Sequence, residues 1–164
     1  MKKVVLIMVI SIAFFSISPL QAVETVDSDH PVSFFLNFGI MTDDSFSFDP
    51  LLWYAGFNLD FHINDYLMIS PEGNLITEDF KFDSLWLEPA VLLNVKLDHF
   101  FVGGGIGKWL KITGDNAETS DFFLKLNAGF SSDGGLRLKV FLNTFFDDLF
   151  GDYITVGAQM GIGL

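Results

Sequence analysis

Cysteine is absent from this 164-residue chain, so no disulfide can staple its fold. Basic residues are scarce: nine Lys and Arg stand against 21 Asp and Glu, for a net charge of −12. Such a balance repels phosphate backbones and excludes nucleic acid as a partner. Beyond residue 22 no stretch approaches the roughly 18 consecutive apolar residues that a membrane-spanning helix requires. A chain without such helices crosses a bilayer only as a closed barrel, because every backbone N–H and C=O must then be satisfied within the protein.

Hydrophobic residues, by contrast, make up half of the chain, and Phe alone contributes 20. The first 22 residues have the make-up of a secretory signal peptide. Lys2 and Lys3 precede an apolar run from Val4 to Phe15, and Leu20-Gln21-Ala22 forms a cleavage site. Cleavage removes two of the nine basic residues and leaves the remainder more acidic. Residues 23–31 are polar and are expected to form a flexible periplasmic leader. Residues 32–164 are expected to form the folded domain.

Alternation dominates that domain. From Leu51 to Ile63, Leu51, Trp53, Ala55, Phe57, Leu59, Phe61 and Ile63 fall on one face, and Tyr54, Gly56, Asn58, Asp60 and His62 on the other. Successive strand side chains point to opposite faces, so this is a strand with one apolar and one polar side. Seven further segments repeat the pattern. They run from about Val32 to Met41, Tyr66 to Leu75, Ser84 to Lys96, Phe100 to Trp109, Asp121 to Ser131, Leu136 to Phe145 and Tyr153 to Leu164. Pro71 withdraws a ladder donor within the third strand and predicts a bulge. Short turns are expected at Asn64-Asp65, Leu97-Asp98-His99 and Asp133-Gly134-Gly135, with longer connections in between. Even strand number and alternating connection length specify an all-β fold, an eight-stranded antiparallel up-and-down transmembrane β-barrel. In the outer membrane, with the leader periplasmic, the short turns would face the periplasm and the longer loops the outside.

The polar face is built of Gly, Asn, Ser and Thr rather than the dense Lys and Glu of a solvated surface. Small residues are what a narrow eight-stranded bore can hold. Aromatics gather near both strand ends, the placement of membrane-interface girdles, although parity turns Tyr54, Trp86, Trp109 and Tyr153 inward. Inward-facing Asp60, Glu72 and Glu88 come from strands two to four, and Lys125, Arg137 and Lys139 from strands six and seven. Buried charges are costly unless paired, so ion pairs across the bore are expected to plug it. Gly103, Gly104, Gly105 and Gly107 are expected to make room for Phe101, Phe123, Phe141 or Trp86. Together with Gly157, Gly161 and Gly163 they would alternatively enclose a small apolar cavity.

In this arrangement residues 32–164 resemble, in architecture, the small eight-stranded outer-membrane barrels of the OmpA/OmpX/OmpW type. Thr155-Val156-Gly157-Ala158-Gln159-Met160-Gly161-Ile162 is similar to the signal read by the barrel-assembly machinery, although the chain ends on Leu164 where an aromatic is usual. The resemblance implies contact with outer-membrane lipid and lipopolysaccharide. It also implies roles that range from anchoring and surface interaction to passage of small hydrophobic compounds.

Lipid A-modifying barrels make catalysis a question to test. His30 lies in the leader, His99 in a turn and His62 near one, with Ser70 the nearest candidate nucleophile across the hairpin. No oxyanion hole accompanies that pair, and the chain is read as non-enzymatic, without cofactor or resident metal. The outer loops are acidic, with Asp43, Asp44, Asp79, Asp83, Asp147 and Asp148 among their carboxylates. These groups are read first as solubilising surface charge, with contact to divalent cations that bridge to lipopolysaccharide phosphates as the alternative. The expectation is a monomeric outer-membrane barrel with a packed polar interior and a structural or surface-interaction role. The alternatives are a narrow channel for small hydrophobic solutes and a secreted lipocalin-like carrier with its apolar faces inward.

Overall fold

Ten consecutive pairs, from Val32 opposite Phe61 to Met41 opposite Leu52, join the first two strands in one unbroken register. The computed structural model describes residues 32–43, 47–80, 84–113, 118–147, 149, 151 and 153–164. The signal and leader expected over residues 1–31 lie outside these. The strands are β1 Val32–Met41, β2 Leu52–His62, β3 Leu67–Glu78, β4 Leu85–Leu97, β5 Phe100–Gly107, β6 Leu110–Lys111, β7 Phe123–Ser131, β8 Leu136–Phe145 and β9 Ile154–Gly163. The two-residue β6 continues β5, since Leu87↔Leu110 keeps the register of Ala90↔Gly107 and the Lys108 N–H donates to Pro89 O at 3.1 Å. Eight barrel strands result, each antiparallel to its sequence neighbour. β1 pairs with β9 from Phe35↔Gly163 to Met41↔Gly157, and that pairing closes the barrel.

The short connections are those after β2, β4 and β7, and the longer ones follow β1, β3, β6 and β8. The side chain of Asn64 accepts the Tyr66 and Leu67 N–H groups, Asp98 takes a φ of 58°, and Gly135 takes one of 77°. The last is a left-handed conformation that glycine adopts without a Cβ penalty. These three turns define one rim, the turn end, and the longer connections define the loop end.

No bulge forms at Pro71. Asn58↔Glu72 and Phe61↔Ile69 share one register, so no residue has been added, and Pro71 itself faces Val91 on β4. The missing N–H interrupts the β2–β3 ladder locally without displacing it.

Apolar residues face outward on every long strand. Leu36, Phe57, Val91, Ile106, Val140 and Met160 are exposed, whereas Asn37, Asn58, Glu72, Asn94, Lys125, Lys139 and Gln159 are buried inside. The polar lumen removes the basis for an apolar carrier cavity. Hydrogen-bonded ladders link every neighbouring pair of strands around the closed wall, as a β-structure in lipid requires. The loop end of the lumen is different in character: Met41, Tyr54, Ile76 and Phe141 pack together there with Leu52, Trp86 and Trp109 against them. Outside, Trp53 stacks on Phe80 at 4.3 Å near the loop end, and Phe100 meets Phe130 edge-on at 5.4 Å near the turn end. Tyr153, just before β9, is half-exposed on the loop-end rim and lies edge-on to Phe145 rather than inside.

Candidate functional site in the barrel lumen

Alternation along β3, β4, β7 and β8 delivers Glu72, Glu88, Lys125 and Lys139 to a common level of the lumen. All four are buried. Lys125 Nζ donates to Glu88 Oε1 at 2.5 Å, to Tyr54 Oη at 2.6 Å and to Glu72 Oε1. Lys139 Nζ donates to the other Glu72 oxygen at 2.5 Å. Because β3 and β8 lie half-way round the barrel from each other, the Glu72–Lys139 pair spans the full bore. Tyr54 Oη donates to Glu88 Oε1, and Trp109 Nε1 donates to Glu88 Oε2 at 2.8 Å. The Lys125 ammonium also lies over the rings of Phe141 and Tyr54, at 4.5 and 5.1 Å from their centroids. A desolvated ammonium is stabilised by such π faces as well as by its carboxylates.

A second cluster occupies the level nearer the turn end. Arg137 Nη2 pairs with Asp60 Oδ2, and Arg137 Nε donates to Ser131 Oγ at 3.0 Å. Its guanidinium is sandwiched between Phe35 and Phe101, 3.9 and 4.8 Å from the ring centroids. Asp60 Oδ1 accepts from Asn58 Nδ2 at 2.8 Å and from Ser70 Oγ at 2.6 Å. The chain of bonds extends both ways: Asn37 donates to Asn58, Asn94 to Ser70 and Asn127 to Asn94, each at 2.9 Å. It therefore runs round the lumen through β1, β2, β3, β4 and β7.

Glycines make these levels possible. Gly103 on β5 lies between Asn94 and Asn127 in register, and a Cβ there would sit 2.3 Å from Asn94 Oδ1. Phe123, Phe101 and Phe141 each lie over the glycine opposite them, Gly107, Gly129 and Gly157. At Gly107 and Gly157 the space expected for an apolar cavity is filled by these rings. The bridging role of Gly103 was not legible in the sequence, where the run Gly103-Gly104-Gly105 pointed to room for aromatics alone.

All six charged residues of the expected interior cluster meet in these two levels. The Ser70–His62 pair does not form, because Ser70 is turned to Asp60. His62 instead lies 3.4 Å from Ser33 Oγ. Both Asp60 oxygens are already engaged, so no free carboxylate there orients His62 as a base. Among the loop acids, Asp43 Oδ1 accepts the Ser47 N–H at 2.7 Å, Asp79 occupies a turn with φ of 47°, and Asp147 lies just past β8. Asp44, Asp83 and Asp148 lie outside the described residues. Among the described residues no three His, Asp or Glu side chains converge as a metal-holding group.

No protein-family model matches the sequence, and no curated protein matches it. Among solved structures, the chain is similar to one described as "De novo design of transmembrane beta-barrels". The match has a TM-score of 0.54 at 10% identity and covers 83% of this chain and 98% of that one. A likeness at that identity carries the fold: an all-β, eight-stranded, antiparallel closed barrel resembling a transmembrane barrel.

Proposed function

We propose that this protein is exported by a signal peptide at residues 1–22 and inserted by the barrel-assembly machinery. It then serves in the outer membrane as a non-enzymatic, monomeric structural or surface-interaction barrel related in kind to the OmpA/OmpX/OmpW group. One observation carries the reading: every carboxylate of the two lumenal levels is engaged by a cation from β7 or β8. A bore crossed by such pairs is a filled polar core rather than a path. Ions would have to break contacts held in low dielectric, where removing one partner of a buried pair costs about 3–5 kcal/mol. The exposed apolar band meets lipid, and the acidic loops meet the lipopolysaccharide layer.

The test is planar-bilayer recording on protein whose folded state is verified by faster gel migration before boiling. Closed traces are expected for the wild type. Steady unitary conductance would replace this reading with that of a narrow channel. Recovery of the protein from the soluble periplasmic fraction, with no migration shift, would overturn the membrane assignment itself.

A further inference from the structure

The turn end of the lumen opens into a cavity of about 140 Å³ lined by Ser33, His62, Lys96, Ser131 and Arg137, among others. Its lining carries two cations, Lys96 and Arg137, and three carboxylates, Asp60, Asp98 and Asp133. Arg137 is taken up by Asp60. Lys96, half-buried in the cavity wall, pairs with no carboxylate among the described residues. Two acids do stand at the cavity rim, Asp98 and Asp133, and both lean on His99, at 3.8 and 3.7 Å. Asp133 is 94% exposed, so water screens its charge from the interior.

The wall also offers donors. Lys96 carries three N–H groups. Ser131 Oγ already accepts from Arg137 Nε, which leaves its own proton to donate. His62 uses one ring nitrogen toward Ser33 and has a second. A half-buried lysine without an ion pair, in a wall that also offers hydroxyl and imidazole groups, matches an oxyanion, whose oxygens accept short charge-assisted bonds.

We propose that this vestibule binds one small oxyanion, a carboxylate or phosphate group, with Lys96 as its counter-charge and Ser131 and His62 as supporting donors. The group comes either from a free ion or from a phospholipid headgroup at the barrel rim. The two sources share the same recognition chemistry.

The experiment uses the full chain refolded in uncharged maltoside micelles and followed by NMR. Inorganic phosphate, acetate and short-chain phosphatidylglycerol are titrated separately. Saturable shifts are expected at the Ser33, Lys96 and Ser131 amides and not at Thr155 near the loop end. Lys96→Gln and Lys96→Met should weaken binding at least tenfold, and Lys96→Arg should retain it, with gel migration before boiling verifying that each variant folds. Saturation by phosphate or acetate assigns a free ion, whereas saturation by phosphatidylglycerol alone assigns the headgroup. Absence of saturable shifts with all three probes, or equal affinity in a folded Lys96→Gln or Lys96→Met variant, overturns the proposal.

Discussion

Gly103 and Asn94 face each other across the β4–β5 ladder, and the Asn94 side-chain oxygen lies 2.3 Å from where a Cβ on Gly103 would be. Asn94 can therefore reach over β5 to accept from Asn127 on β7. A methyl group at Gly103 must displace that oxygen or the Leu93 carbonyl, 2.2 Å away. Gly103→Ala is expected to lower stability by about 1–3 kcal/mol, the cost of a buried polar group left unmatched. Urea unfolding in micelles measures it. Gly134→Ala is the control, since its nearest neighbour is Ser132 Oγ at 3.8 Å, and should change stability by less than about 1 kcal/mol.

Arg137 and Asp60 form the buried pair of the turn-end level. Arg137→Met leaves a carboxylate without its cation and is expected to cost about 3–5 kcal/mol. Adding Asp60→Asn removes the charge while keeping a hydrogen-bonding side chain for Asn58 and Ser70. The double variant should be clearly more stable than the single one. Strict additivity of the two single-variant costs in a double-mutant cycle would mean that the pair is not coupled.

Val140 lies half-way along β8 with its side chain outward and 52% exposed, while the adjacent Lys139 points inward and is buried. If lipid covers the outer wall, Val140→Arg should cost about 2–4 kcal/mol in a bilayer, as charges do at the midplane of a barrel. The same substitution at Leu164, at the turn-end rim, should cost about 1 kcal/mol or less. Unfolding titrations in vesicles would separate the two positions, and equal costs would count against a lipid-covered wall.

Phe141 occupies the space over Gly157, where an added Cβ would lie 2.2 Å from the ring. The ring also faces Lys125 and Tyr54. Gly157→Ala is expected to destabilise by about 1–3 kcal/mol through overpacking. Combining it with Phe141→Leu should restore part of that loss, which thermal unfolding monitored by gel migration would detect.

Strand identity was legible because period-two alternation persists wherever one face meets the lumen and the other the exterior. That signal fades toward the loop end of β3. The sequence suggested an end near Leu75, whereas the strand continues to Glu78. Ile76 there packs inward against Met41, Tyr54 and Phe141, so both faces of the strand are apolar and the alternation disappears. The charged cluster was legible as a set, because parity alone sends Asp60, Glu72, Glu88, Lys125, Arg137 and Lys139 inward. Its partition into two levels was not, since it depends on strand stagger. Ser70 shows the same limit: its choice of Asp60 over His62 is decided by inter-strand register, which composition does not encode.

The seam between β1 and β9 joins the earliest described strand to the last, with Phe35 opposite Gly163. All other wall contacts connect neighbours in sequence and can form hairpin by hairpin. Closure is then the one step that needs both ends of the domain at once, and it carries the largest chain-entropy cost. Until it occurs, β1 and β9 each present an unpaired edge, and the cations of β8 lie in an open sheet away from their partners on β2 and β3. Zipping the seam and neutralising the interior therefore become a single cooperative event. A barrel arrested before its final strand would be an adhesive intermediate, prone to pair with another copy of itself.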